Sequence, residues 1–153
     1  MRTLSALAVA TLTSLATLTT LTVAPAPAHA EDAMKLVTVI TSEHPQTQLM
    51  GMVLTMQSLK AGAQTHMLLC GPGGDLALVD APASATAPQP PQDMSPQGLM
   101  KMIMQNGGTV EVCAIYLPGK GAGPEALLEG VGVAAPADMA ARLMDDDTRV
   151  LSF

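Results

Sequence analysis

Gly107-Gly108-Thr109-Val110-Glu111-Val112-Cys113-Ala114-Ile115-Tyr116-Leu117-Pro118-Gly119-Lys120-Gly121 reads as a turn, a short β-branched strand, a cysteine where that strand ends, and a Gly/Pro-rich loop leading towards a helix. Strand, loop and helix in alternation is the grammar of α/β proteins. In their sheets, ligands and chemistry collect at the carboxyl ends of the strands. Cys113 falls at such an end.

Upstream, Lys35-Leu36-Val37-Thr38-Val39-Ile40 is a nearly continuous β-branched run, the pattern of a strand buried on both faces of a parallel sheet. After the turn-rich Thr41 to Pro45, apolar residues at Leu49, Met52, Val53, Met56 and Leu59 keep helical spacing over Gln46 to Lys60, and Gly62 marks the stop. Gln64 to Cys70 is a second strand, closed by Gly71-Pro72-Gly73-Gly74, with Asp75 to Val79 left without a type. Residues 81–94 are rich in Ala and Pro and lack periodicity, so a flexible loop is expected there. Ser95-Pro96 opens a helix to Asn106, with serine as N-cap and proline at the first helical position. Thr109 to Cys113 is the third strand, Pro124 to Leu128 a short helix, Val131 to Ala134 a brief strand, Pro136 to Met144 a helix and Thr148 to Phe153 the last strand. The expected class is α/β: a three-layer α/β/α domain with a mainly parallel sheet of about five strands. Right-handed crossovers gather the strand ends that precede helices on one edge, and Cys70 and Cys113 both fall there.

Residues 1–30 read as a signal peptide: Arg2 is the only charge, Leu4 to Val23 is apolar and Thr-rich, and Ala28-His29-Ala30 supplies the small-x-small cleavage pattern. Cleavage before Glu31 would leave 31–153 as a single domain, periplasmic or secreted, with no membrane association after signal removal. The whole chain has 7 basic and 13 acidic residues. An acidic surface so poor in Lys and Arg argues against nucleic acid or anionic membranes as partners. Tyr116 and Phe153 are the only aromatics, which removes stacking platforms for bases.

Cys70 and Cys113 are the only cysteines. In an oxidising compartment a pair usually closes unless chemistry keeps it open. For Cys70 the preferred reading is a core residue at its strand end. The alternative is a bond to Cys113, since neighbouring parallel strands lie about 4.8 Å apart and matching ends can meet disulfide geometry. Cys113 is either a small buried core residue or a reactive thiol whose pKa, about 8.5 when free, is lowered by Lys120 and the amides of Gly119 to Gly123. The chain holds 12 methionines. Thioethers select Cu(I), yet in this aromatic-poor chain adaptable core filling is the preferred reading. His44 in its loop is a candidate proton donor or ligand, and His66 in its strand is read as structural; neither belongs to a metal-spaced pair. The glycines at 71–74 lack a P-loop ending, and no G-x-S-x-G elbow is present, which argues against nucleotide binding and serine hydrolysis. Asp145-Asp146-Asp147 reads as a solvated turn.

The Cys-x6-Lys-Gly spacing of Cys113, Lys120 and Gly121 resembles the surroundings of the sulfur-carrying cysteine in the DsrE/DsrF-like sulfur-relay family. Similar stretches are Leu59-Lys60-Ala61-Gly62-Ala63, the Gly73-Gly74-Asp75-Leu76 turn, Glu129-Gly130-Val131 and the closing Thr148 to Phe153. The resemblance spans Lys35 to Phe153. It implies a compact α/β/α domain assembling into trimers or hexamers, without cofactor or metal, whose Cys113 carries a persulfide sulfur between donor and acceptor proteins or small thiols. Cys113 and Lys120 are the site residues it implies. Some members carry a second cysteine close to the first, whereas Ala114, Ile115 and Tyr116 follow Cys113 here. Two other expectations stand beside the relay: a non-catalytic oligomeric binding module of the same fold, and a periplasmic Cu(I)-binding protein using Met and Cys.

Overall fold

The structure is a computed structural model and describes residues 33–153. The expected signal peptide lies outside the described residues. In chain order the elements are β1 (Lys35–Ile40), α1 (Pro45–Lys60), β2 (Gln64–Leu69), a 3-10 turn (Gly71–Ala77), α2 (Ala83–Thr86), α3 (Pro96–Gln105), β3 (Thr109–Val112), α4 (Tyr116–Lys120), a second 3-10 turn (Pro124–Ala126), β4 (Gly132–Val133), α5 (Pro136–Leu143) and β5 (Thr148–Ser152).

All five strands are parallel, in the order β4-β3-β2-β1-β5. The chain steps from β1 to β4 in one direction, then returns so that β5 lies beside β1. The carbonyl of the last residue, Phe153, accepts the Thr41 amide at 2.7 Å, which ties the end of the chain to the end of β1. Burial explains why these sequences form strands. β1 and β2 are inside on both faces over most of their length, so consecutive positions such as Leu36 to Ile40 and Met67 to Leu69 are apolar or β-branched.

Strand residues alternate between two cores. Ile40, Met67, Leu69, Val110 and Val112 pack with Met52 and Met56 of α1 and Leu99, Met100 and Ile103 of α3. Val37 and Leu68 face the other way, onto Ala134 and Met139, with Leu143 beside them. Helices thus cover both faces, giving the three-layer α/β/α arrangement. Met52, Met56, Met67 and Met100 are wholly or almost wholly buried and fill the volume that aromatic rings occupy in other cores.

Helix ends follow local chemistry. The Ser95 hydroxyl accepts the Gly98 amide at 3.1 Å and caps α3. Gly62 and Gly107, at φ +94° and +96°, make the left-handed exits of α1 and α3.

Three segments differ from the expectation. Residues 81–94, expected to be a flexible loop, contain the single turn α2, bury Ala85, and close with a bridge between Gln89 and Met94. Composition alone misses this because the ordering contacts are tertiary: α2 packs on α3, and Gln97 of α3 donates to the carbonyls of Leu76 and Leu78 ahead of the segment. The loop expected after Cys113 winds into α4, with Pro118 in its first turn, where no intrahelical amide bond is lost. The short helix expected over Pro124 to Leu128 is only a 3-10 turn at Pro124–Ala126.

Candidate functional site

β2 and β3 run in parallel register, and the last paired rung of their ladder is Leu69 with Val112. The next residue on each strand is a cysteine. The Cys70 amide donates to the Ile40 carbonyl and the Cys113 amide to the Leu69 carbonyl, both at 2.9 Å, so the backbone ladder extends one residue beyond the strands. Leu69 and Val112 point into the α1/α3 core, and Cys70 and Cys113 both pack against the opposite, α5-side cluster.

In-register neighbours on one face are the residues a sheet brings nearest to each other. Their Cα atoms are 5.2 Å apart and their sulfurs are bonded; that separation lies within the usual span for a disulfide. Cys70 is therefore not the unpaired core residue preferred from sequence. Neither cysteine is free, and Cys113 is here one half of a disulfide rather than a lone thiol.

The 3-10 turn after Cys70 builds the next layer of the site. Gly73 donates its amide to the Cys70 carbonyl at 3.1 Å and lies so close to the Ile40 carbonyl that a Cβ would collide with it. Gly74 is pressed against the Tyr116 ring in the same way. This close packing delivers Asp75 to α4. Asp75 Oδ1 accepts the Tyr116 hydroxyl at 2.7 Å and pairs with Lys120 Nζ at 2.7 Å. Lys120 Nζ also stands 5.8 Å from the Tyr116 ring centre. Burial, reinforced by the hydrogen bond to Asp75, holds the Tyr116 hydroxyl above the ordinary tyrosine range, so it remains a donor.

Cys70, Cys113, Ile115, Tyr116 and Lys120 line an open cleft of about 400 Å3. Both cysteines are half-buried, and Ile115 on the rim is 81 % exposed. A second cleft of about 410 Å3 shares Gly71 and Lys120 and reaches Glu43, Gln48 and Asp75. Gln48 is 2 % exposed; its amide nitrogen donates to the Ser42 carbonyl at 2.7 Å, and its oxygen has no hydrogen-bond partner.

Of the two residues singled out from sequence, Cys113 and Lys120 do line one cleft. Lys120 is not a bare cation there, because its ammonium is neutralised by Asp75. His44 stands exposed at the start of α1. His66 is buried in β2, with Nε2 2.8 Å from Glu111 Oε2 but not aligned for a good hydrogen bond. Its pKa is lowered, first by burial and then by the positive charge of Arg142, while Glu111 pulls it the other way. No group of three His, Cys, Asp or Glu suited to a metal occurs among the described residues. Sequence reading missed Asp75, Tyr116 and the His66–Glu111 pair. The one available signal was parity: on a parallel sheet His66 and Glu111 share the cysteines' face once the register is known.

No protein-family model matches the chain, and no curated protein matches it in sequence. Solved structures do. The protein of unknown function MTH1491 from Methanobacterium thermoautotrophicum superposes with a TM-score of 0.57 at 14% identity, covering 80% of this chain and 100% of its own. The ychN protein from E. coli gives 0.59 at 17% identity, covering 78% of this chain and 99% of its own. Both have the DsrE/DsrF-like fold, and at these identities the likeness establishes the fold of this chain alone.

Proposed function

We propose that this protein handles sulfane sulfur on Cys113, accepting it as a persulfide when the Cys70–Cys113 bond is reduced and passing it to acceptor proteins or small thiols. The observation that carries the reading is the position of Cys113: one residue beyond β3, at the carboxyl edge of a DsrE/DsrF-like sheet, on the wall of an open cleft. The reaction is attack of the Cys113 thiolate on the terminal sulfur of a donor. The charged Lys120–Asp75 pair and the Tyr116 hydroxyl put polar groups beside the cleft, and Ile115 offers an apolar rim for a docking partner.

The reading includes export, from the character of residues 1–30, and assembly of the mature chain into trimers or hexamers, in keeping with the family it resembles. The bonded cysteine pair itself favours a second reading, a non-catalytic binding module of the same fold in which the disulfide is only a staple. Mass spectrometry separates the two. After reduction and exposure to polysulfide, a relay protein gains label at Cys113 that Cys113→Ala abolishes. A staple protein shows the same trace labelling at both cysteines as an unfolded control.

A further inference from the structure

Cys70 determines what becomes of a sulfur held on Cys113. The two are successive-register partners whose amides are tied to the Ile40 and Leu69 carbonyls at 2.9 Å. Val112, just before Cys113, is tied in turn to β4 through the Ala134 amide at 2.9 Å. These bonds belong to the sheet and not to the sulfurs, so the 5.2 Å Cα separation persists when the disulfide opens. A Cys113 persulfide would thus form beside a second thiol fixed on the same face, and the chain has no third cysteine to compete.

Resting on the persulfide reading above, we propose that Cys70 is a resolving thiol: it attacks Cys113 Sγ of the persulfide, expels hydrosulfide and restores the Cys70–Cys113 bond. The same Cys113 persulfide then has two outlets, transfer to an acceptor and reduction to hydrosulfide by Cys70, and the second prevails when no acceptor is docked. In the first step the Cys113 thiolate takes the terminal sulfur of a donor R–S–SH, and R–S⁻ departs. In the second, the Cys70 thiolate gives an electron pair to Cys113 Sγ. The bond from Sγ to the outer sulfur breaks, and its electron pair leaves as HS⁻. The two cysteines together lose two electrons and the sulfane sulfur gains two; the two thiol protons end on the donor thiol and on sulfide. An external dithiol restores the pair by exchange and becomes a disulfide itself.

Proximity decides the competition with an acceptor. Effective concentrations in well-oriented intramolecular reactions reach about 10⁵ M, far above any free thiol in solution. The cleft beside the pair gives the outer sulfur room and the hydrosulfide an exit.

The test uses the reduced mature chain, freed of excess reductant under anaerobic conditions and given one equivalent of glutathione persulfide. Sulfide and intact mass are read together. Wild type is expected to release one equivalent of sulfide and return to the disulfide mass. Cys70→Ser, with Cys70→Ala as a second variant should the hydroxyl disturb the strand end, is expected to keep an adduct of about 32 Da on Cys113 and to release no more sulfide than Cys113→Ser. If Cys70→Ser takes the adduct while wild type also retains it, or releases less than half an equivalent of sulfide, the resolving role is overturned and the persulfide reading survives. If neither Cys70 variant nor wild type takes label and sulfide never exceeds the Cys113→Ser level, the persulfide reading itself fails.

Discussion

Opening the Cys70–Cys113 bond should cost stability mainly through the unfolded chain, and the loop it closes sets the size of the effect. The cysteines are 43 residues apart. In the chain-entropy treatment a loop of that length restricts the unfolded ensemble by an amount worth about 4 kcal/mol at 25 °C. Native contacts change little, because the strand ends are held by amide–carbonyl bonds and both cysteines are only half-buried at the margin of the cores. A domain of this size loses roughly 0.25 kcal/mol per kelvin at its midpoint, so reduction should lower Tm by roughly 15 °C. A typical domain stability of about 5–15 kcal/mol would leave the reduced form folded in most of that range, as the resolving chemistry requires. The assay is urea unfolding of the mature protein with and without a phosphine reductant, followed by circular dichroism. A difference under about 1 kcal/mol would refute the reasoning, for it would mean that the bond does not restrain the unfolded chain.

Three further outcomes follow from the packing. Gly73→Ala should destabilise by about 2 kcal/mol or more, since its Cβ would meet the Ile40 backbone carbonyl rather than a yielding side chain; thermal unfolding checks this, and an unchanged Tm would contradict the close approach. Thr55 donates to the Gly51 carbonyl at 2.8 Å and so accepts from Thr38 at 2.7 Å, both side chains being fully buried. Thr55→Val should cost about 1–3 kcal/mol by orphaning the Thr38 hydroxyl, and Thr38→Val with Thr55→Val should recover part of it; a double variant whose loss equals the sum of the singles would deny the pairing. Because burial and Arg142 lower the His66 pKa below its unfolded value of 6.5, the unfolded chain binds the proton more tightly. Stability from this group is complete above that pH and falls as pH drops through the folded pKa. Arg142→Gln should flatten the fall, as seen in denaturation midpoints between neutral and mildly acid buffer; a slope unchanged in His66→Gln would remove His66 as its source.

Much of the fold was legible because it is written in local chemistry. The β-branched run Lys35–Ile40, the Ser95-Pro96 start and the glycines at 62 and 107 each satisfy a backbone requirement within a few residues. Alternation of such elements is enough to specify an α/β domain, a strand end is enough to draw attention to Cys113, and the Cys-x6-Lys-Gly spacing singled out Lys120. Segment 81–94 was not legible, because α2 is ordered by packing on α3, and composition carries no record of that contact.

By itself, the sequence determined the five strands, the helices α1, α3 and α5, that one cysteine ends each of two strands, and that methionines such as Met52, Met67 and Met100 fill the core. Only the tertiary structure decided that β2 and β3 are neighbours in register, which makes Cys70 and Cys113 partners and sets His66 against Glu111. It also decided that Lys120 faces Asp75 and Tyr116 rather than standing alone. The physical reason is that strand order and register follow from how all the layers pack at once, whereas each strand's own pattern fits several neighbours equally well.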